Sequence, residues 1–157
     1  MITAELNEPR VLVPTAVLRE AERWAIQAMP YELGGILVGW WEGKETTVVS
    51  KFLVVPDSTA GYRHYNRQHA PAQKILDDYL CSGKDERLGY VGEWHSHPLP
   101  QPPSPMDHHS LTSIVRRSRH CTALVVLSVA DNDEVIPHAL VGQPQRWGRI
   151  GISSARI

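Results

Sequence analysis

Residues 92–107 are the segment that most limits how this chain can fold. The segment reads "GEWHSHPLPQPPSPMD", and five of the eight residues from 98 to 105 are proline. Proline restricts its own φ angle and has no backbone N–H, so this run cannot continue through the interior of a helix or a sheet. We therefore expect a stiff, irregular connection between one regular element that ends near residue 97 and another that begins near residue 105.

The residues before the proline run predict a β-strand. The string "RLGYVGEWHSH" leads directly into the run, and side chains along a strand alternate between two faces. His95 and His97 then share one face, together with Glu93. Trp94 and Ser96 are predicted to lie on the opposite face.

The residues after the proline run predict the start of a helix that extends to about residue 118. Ser104 has the residue type of an N-cap, Pro105 suits the first helical position, and Asp107 suits the third. A cap of this kind stabilises a helix by about 1 kcal/mol. Capping alone is therefore a sufficient structural explanation for Ser104 and Asp107.

The rest of the chain alternates between strand-like and helix-like patterns. The string "TAVLREAERWAIQAM" has helical spacing and stops at Pro30, and a second helix is predicted to begin near Pro71. Strands are predicted at residues 10–14, 33–41, 46–55, 121–129, 134–142 and 146–152. This pattern predicts an α/β chain of the α+β type, with one mixed sheet flanked by helices.

Composition narrows the class of protein. A length of 157 residues with 42% hydrophobic content predicts one domain over residues 1–157. A net charge of −1 gives no general attraction to nucleic acid, and the cluster "RRSR" at 116–119 is interpreted as a helix end. No apolar run approaches the ~20 residues of a membrane helix. The absence of a signal-peptide pattern and the two cysteines, interpreted as buried, favour a cytoplasmic location.

The two histidines and the aspartate together indicate a metal site. Imidazole nitrogen and carboxylate oxygen are ordinary zinc ligands, and catalytic zinc commonly has three protein ligands. A histidine pair alone is weak evidence, because two hydrogen-bonded or surface histidines are common. Other families with this pair fit poorly: the string "HSHPLP" lacks the later aspartate and histidine of metallo-β-lactamases, and no cupin-type glutamate follows before Glu134.

The order of motifs resembles the JAMM, or MPN+, metalloprotease family. That family has an upstream glutamate, then HxHP, a short loop and SxxD. The matching pieces are Glu32 in "YELGGILVGW", the "HSHP" of residues 95–98 and the "SPMD" of residues 104–107. The resemblance extends over about residues 10–152 and implies a cytidine-deaminase-like JAB/MPN fold with a mainly antiparallel sheet.

The resemblance also implies roles for individual residues. His95, His97 and Asp107 are expected to bind Zn²⁺, with a water molecule as the fourth ligand. Glu32 is expected to be the general base, and Ser104 to donate a hydrogen bond to the developing oxyanion.

Two alternatives within the site stay open. Glu93 is a rival base, because strand alternation places it beside the histidines. The connection at 98–103 has six residues, one fewer than is usual in the family, so His108 or His109 is retained as an alternative ligand.

The short form with "GEWHSHP" resembles the prokaryotic JAB-type branch. This implies hydrolysis of the amide bond after the C-terminal glycine of a ubiquitin-like protein, in deconjugation or precursor processing. E1-like and E2-like enzymes from the same operon, in a bacterial anti-phage conjugation system, are the implied partners. An extended substrate tail is expected to add as a strand beside the site.

Two other functions remain as alternatives. The first is a RadC-like, DNA-associated protein, although its usual "HPSG" is replaced here by "HPLP". The second is a non-catalytic scaffold of the same fold. The segment 56–69, rich in aromatic and basic residues, is interpreted as an ordinary polar loop, with a substrate-binding rim as the alternative.

Overall fold

The computed structural model describes residues 8–56, 69–83 and 85–157. Its elements, in chain order, are β1 (Arg10–Leu12), α1 (Thr15–Ala28), β2 (Gly34–Glu42), β3 (Thr46–Val54), α2 (His69–Ser82), β4 (Gly89–His97), α3 (Pro105–Ser118), β5 (Thr122–Val129), β6 (Val135–Pro144) and β7 (Ile150–Ala155). The predicted order of strands and helices is confirmed. Among these elements, no helix has the length and apolar character needed to cross a membrane.

The strands form one seven-stranded sheet in the order β1-β3-β2-β4-β5-β6-β7. The pairs β1–β3 and β4–β5 are parallel, and the other four pairs are antiparallel. The mixed, mainly antiparallel sheet implied by the resemblance is therefore confirmed. An isolated bridge between Arg10 and Arg156 joins the region of β1 to the end of β7, so the two edges of the sheet approach each other.

The helices cover the two faces of the sheet unequally. Helix α1 packs on one face, where Trp94 is 1% exposed and lies in a core cluster with Ala21 and Ala25. Helix α2 and helix α3 pack on separate apolar clusters of the opposite face. Cross-strand pairing places Glu93 of β4 between those two clusters, beside Ile36 and Leu124. The side of β4 that carries Glu93 borders a cavity that α3 also lines.

Three details of the sequence interpretation are wrong. The predicted strand at 146–152 begins only at Ile150, because Arg146–Gly148 forms a 3₁₀ turn in which Trp147 and Gly148 have φ angles of 63° and 70°. Helix α2 begins at His69, two residues before Pro71. Pro71 is tolerated there because the first N–H groups of a helix have no partner within it. Cys81 is exposed rather than buried.

We predict that Gly92→Ala destabilises the fold strongly. Gly92 pairs with Ala123 of β5, and a Cβ atom at Gly92 would collide with the main-chain carbonyl of Ala123. Because that obstacle is backbone in a central strand, we expect a loss of about 1–3 kcal/mol in the free energy of unfolding, measured by urea denaturation.

Gly89→Ala is the matched control in the same strand. A Cβ atom there meets nothing within 4 Å, so we expect no loss of stability. Equal stability of the two variants would contradict the proposed close approach of β4 and β5.

Candidate metal centre

Two neighbouring elements bring His95, His97 and Asp107 together. The histidines lie at the carboxyl end of β4, and Asp107 lies in the first turn of α3. The Nε2 atom of His95 is 3.0 Å from Oδ1 of Asp107, and the Nε2 atom of His97 is 3.4 Å from Oδ2. One ligand atom from each residue lies within 4.8 Å of the other two, and all three side chains are at most 16% exposed.

The start of α3 holds the Asp107 carboxylate in place. Oδ2 of Asp107 accepts a hydrogen bond of 2.6 Å from the Ser104 backbone N–H, and the Asp107 N–H donates a 3.1 Å bond to Oγ of Ser104. This reciprocal pair is a capping box, so the capping interpretation of both residues is confirmed. The cap does not compete with a ligand role, because it orients the carboxylate towards the two histidines.

A main-chain carbonyl orients the His97 ring. Nδ1 of His97 lies 3.2 Å from the carbonyl oxygen of Gln101, which also accepts a hydrogen bond from the buried Ser128 hydroxyl. A proton held on Nδ1 by this carbonyl makes Nε2, which faces Asp107, the nitrogen that would bind a metal. Sequence reasoning missed Gln101 and Ser128, since a backbone carbonyl leaves no signal in the residue type.

The charges of the centre suit a cation. Burial by itself raises the pKa of Asp107, but hydrogen bonds from His95 and His97 outweigh it and hold that pKa far below its ordinary value. Burial lowers the pKa of His97, yet the Asp107 carboxylate and the Gln101 carbonyl raise it overall, with a smaller contribution from the charge of Glu32. The carboxylate therefore stays ionised, and the site attracts positive charge at the histidine nitrogens.

The other predicted residues line the same cavity. Glu32, Glu93 and Ser104 border a space of about 380 Å³ that also contains the two histidines and Asp107. Glu32 lies in the connection between α1 and β2, and Glu93 accepts a 3.2 Å hydrogen bond from the Tyr90 hydroxyl. All six residues selected from the sequence, with Glu93 as the rival base, thus border one cavity, and their individual roles remain predictions.

His108 and His109, the alternative ligands, lie outside the group of side chains that could hold a metal. Across residues 8–56, 69–83 and 85–157, the ligand group consists of His95, His97 and Asp107 and includes neither His108 nor His109. His109 lines the cavity without joining that group. The six-residue connection is therefore long enough to bring Asp107 to the histidines.

The donor set fits a zinc ion. Two imidazole nitrogens and one carboxylate oxygen are ligands that zinc takes in catalytic sites, where a fourth position is left open. The carbonyl of Gln101 on the second nitrogen of His97 is the kind of outer contact that such ligands usually have.

We predict that His95→Ala removes stoichiometric metal binding and that His108→Ala keeps it. A direct ligand should cost on the order of 100-fold or more in Zn²⁺ affinity, since even outer contacts cost 10- to 100-fold. The measurement is competitive titration of chelator-treated protein with Zn²⁺. Equal affinity of the two variants would contradict the assignment of the centre to His95.

Comparison with known proteins agrees with this centre. The family model of prokaryotic homologs of the JAB domain matches residues 14–141. The "Probable metalloprotease y4qB" of Sinorhizobium fredii is 29% identical over 143 residues, which cover 85% of this chain and 82% of that protein. The "CD-NTase/cGAS isopeptidase" of Enterobacter hormaechei is 29% identical over 133 residues, which cover 83% of this chain and 72% of that protein.

A solved structure shares the fold. The solution structure of protein DSY2949 from Desulfitobacterium hafniense superimposes with a TM-score of 0.68 and 19% identity, covering 94% of this chain and 90% of that one.

The family match extends over most of the chain and includes Glu32, both histidines and the SxxD segment. This chain therefore belongs to the prokaryotic JAB family, a branch of the JAMM metallopeptidases.

Proposed function

We propose that this metallopeptidase uses Zn²⁺ to hydrolyse the amide bond after the C-terminal glycine of a ubiquitin-like protein, in deconjugation or precursor processing. The observation that carries the proposal is that Glu32 and Ser104 border the same cavity as His95, His97 and Asp107. A complete set of ligand and reacting groups argues against the alternative of a non-catalytic scaffold.

His95, His97 and Asp107 would hold the zinc ion. When bound, zinc supplies Lewis acidity, which lowers the pKa of water and polarises a carbonyl. The protein contributes the orientation of its ligands, through the capping box at Asp107 and the Gln101 carbonyl at His97.

Glu32 would move the proton. Its carboxylate accepts a proton from the attacking water and then donates it to the leaving amine, the usual work of a general base and acid. Glu32 is suited to this because it lies in the connection before β2, whereas the expected metal ligands lie on β4 and α3. Glu93, the rival base, lies on β4 with the two histidines and accepts a hydrogen bond from the Tyr90 hydroxyl.

Ser104 would stabilise the oxyanion. Its Oγ atom accepts the Asp107 N–H bond, which leaves the hydroxyl proton to donate into the cavity. One donor aimed at a developing oxyanion contributes about 3 kcal/mol to transition-state stabilisation.

The low exposure of the three metal-binding candidates supports a substrate with glycine next to the cleaved bond. His95, His97 and Asp107 have side chains only 10–16% exposed, so an acyl group without a side chain reaches them best. A substrate tail cannot add as a strand to β4 itself, because β4 is paired with both β2 and β5. The tail would instead lie in the groove along α3, which Ser110, Ser113 and Ile114 line.

The same proposal includes the biological setting. The Enterobacter relative is named an isopeptidase, which supports a conjugated protein as the substrate. We infer E1-like and E2-like enzymes from the same operon as partners, anti-phage conjugation as the system and the cytoplasm as the location.

The test is cleavage of a fusion between the ubiquitin-like protein encoded near this gene and a C-terminal reporter. We expect zinc-loaded wild type to release the reporter after the terminal glycine, as identified by mass spectrometry. A fusion whose last glycine is replaced by valine is the matched control and should resist cleavage. Absence of cleavage by wild type with stoichiometric zinc would refute the substrate assignment and leave the metal centre standing.

Paired substitutions test the base. We expect Glu32→Gln to lose on the order of 10²- to 10⁴-fold in kcat with its zinc content unchanged, because it cannot accept the proton. Glu93→Gln should keep most of the activity. If Glu93→Gln is the inactive variant, the two roles must be exchanged.

A further inference from the structure

Ser96 lies between the two ligand histidines in sequence but faces the other way. It is 1% exposed and, like Trp94, follows the alternation of β4 away from the metal centre. The hydroxyl group of Ser96 therefore cannot contact a metal held by the two histidines. Its partner lies 63 positions earlier in the chain.

The Ser96 hydroxyl closes a reciprocal pair of hydrogen bonds with Leu33. The Leu33 backbone N–H donates a 2.9 Å bond to Oγ of Ser96, and the Ser96 backbone N–H donates a 2.7 Å bond to the Leu33 carbonyl. The regular antiparallel pairing of β2 with β4 ends at the neighbouring pair, Gly34 opposite His95. The serine side chain therefore extends this ladder by one rung, using a hydroxyl oxygen as the acceptor.

This rung acts on the residue that immediately precedes Leu33. Glu32 lies outside regular structure, in the connection between α1 and β2. We propose that Ser96 is a positioning residue: it fixes the backbone of Glu32 relative to β4, the strand that carries His95 and His97. The inference rests on the proposed function, in which Glu32 carries the proton.

Removal of the Ser96 hydroxyl should disturb the position of Glu32 more than the positions of the ligands His95 and His97. The positions of His95 and His97 are fixed by the pairing of β4 with β2 and β5, and His97 also has its Gln101 contact. Leu33 would keep one bond of the pair and lose the acceptor for its N–H. A displacement of about 1 Å in a reacting group can cost on the order of 100-fold in rate.

The experiment compares Ser96→Ala with Ser96→Thr, which restores a hydroxyl, and with Ser128→Ala. Ser128 is also buried and has its hydroxyl on the Gln101 carbonyl, so its loss should act on the metal ligands. We measure kcat and KM on the glycine fusion, Zn²⁺ affinity, and hydrogen exchange of the Leu33 amide by NMR.

We expect Ser96→Ala to lose about 10- to 100-fold in kcat, with KM and Zn²⁺ affinity unchanged and faster exchange at Leu33. Ser96→Thr should recover most of the kcat and the protection, whereas Ser128→Ala should lower Zn²⁺ affinity. If Ser96→Ala fails to fold, Ser96→Cys provides the same comparison, because a thiol is of similar size and a weak acceptor.

The outcomes separate this inference from the proposed function. Wild-type kcat in Ser96→Ala, or a loss explained by weaker Zn²⁺ binding, would overturn the positioning role while cleavage by the wild type stands. A zinc-loaded wild type that cleaves no glycine fusion would overturn the proposed function, and the positioning role of Ser96 with it.

Discussion

The Asp107 carboxylate is the group on which the rest of the site depends. It closes the first turn of α3 through the backbone of Ser104, and it contacts the imidazoles of His95 and His97 at 3.0 and 3.4 Å. One ionised side chain thus sets where a helix begins and where two strand residues meet it. Because the same carboxylate serves the fold and the site, the helix cannot shift without disturbing the ligand geometry.

Much of this centre could be predicted from local rules. Strand alternation separated His95 from Trp94, and cap chemistry located the start of α3, because both effects act between residues close in sequence. Glu32 required the family resemblance, since no local rule brings a residue of the α1–β2 connection to β4. The contacts of Gln101 and Ser128 could not be predicted, because one uses a main-chain carbonyl and the other depends on the parallel pairing of β4 with β5.

The order of the strands determines how a substrate can reach the centre. Since β4 is the middle strand of seven, both of its edges are paired, and the cavity at the centre lies on the face of β4 that α3 covers. Sequence patterns predicted seven strands but not their spatial order, which depends on long-range pairing. This order excludes strand addition to β4 itself, and strand addition elsewhere beside the centre stays a prediction.

The proline run has a consequence for the thermodynamics of metal binding. A chain with five prolines in eight residues has few conformations even when unfolded, so folding this connection costs less conformational entropy than folding a flexible loop of equal length. Asp107, the proposed third ligand, therefore follows a connection that is already restricted before any ion binds. If Asp107 binds an ion, little of the binding free energy would be spent on ordering this connection.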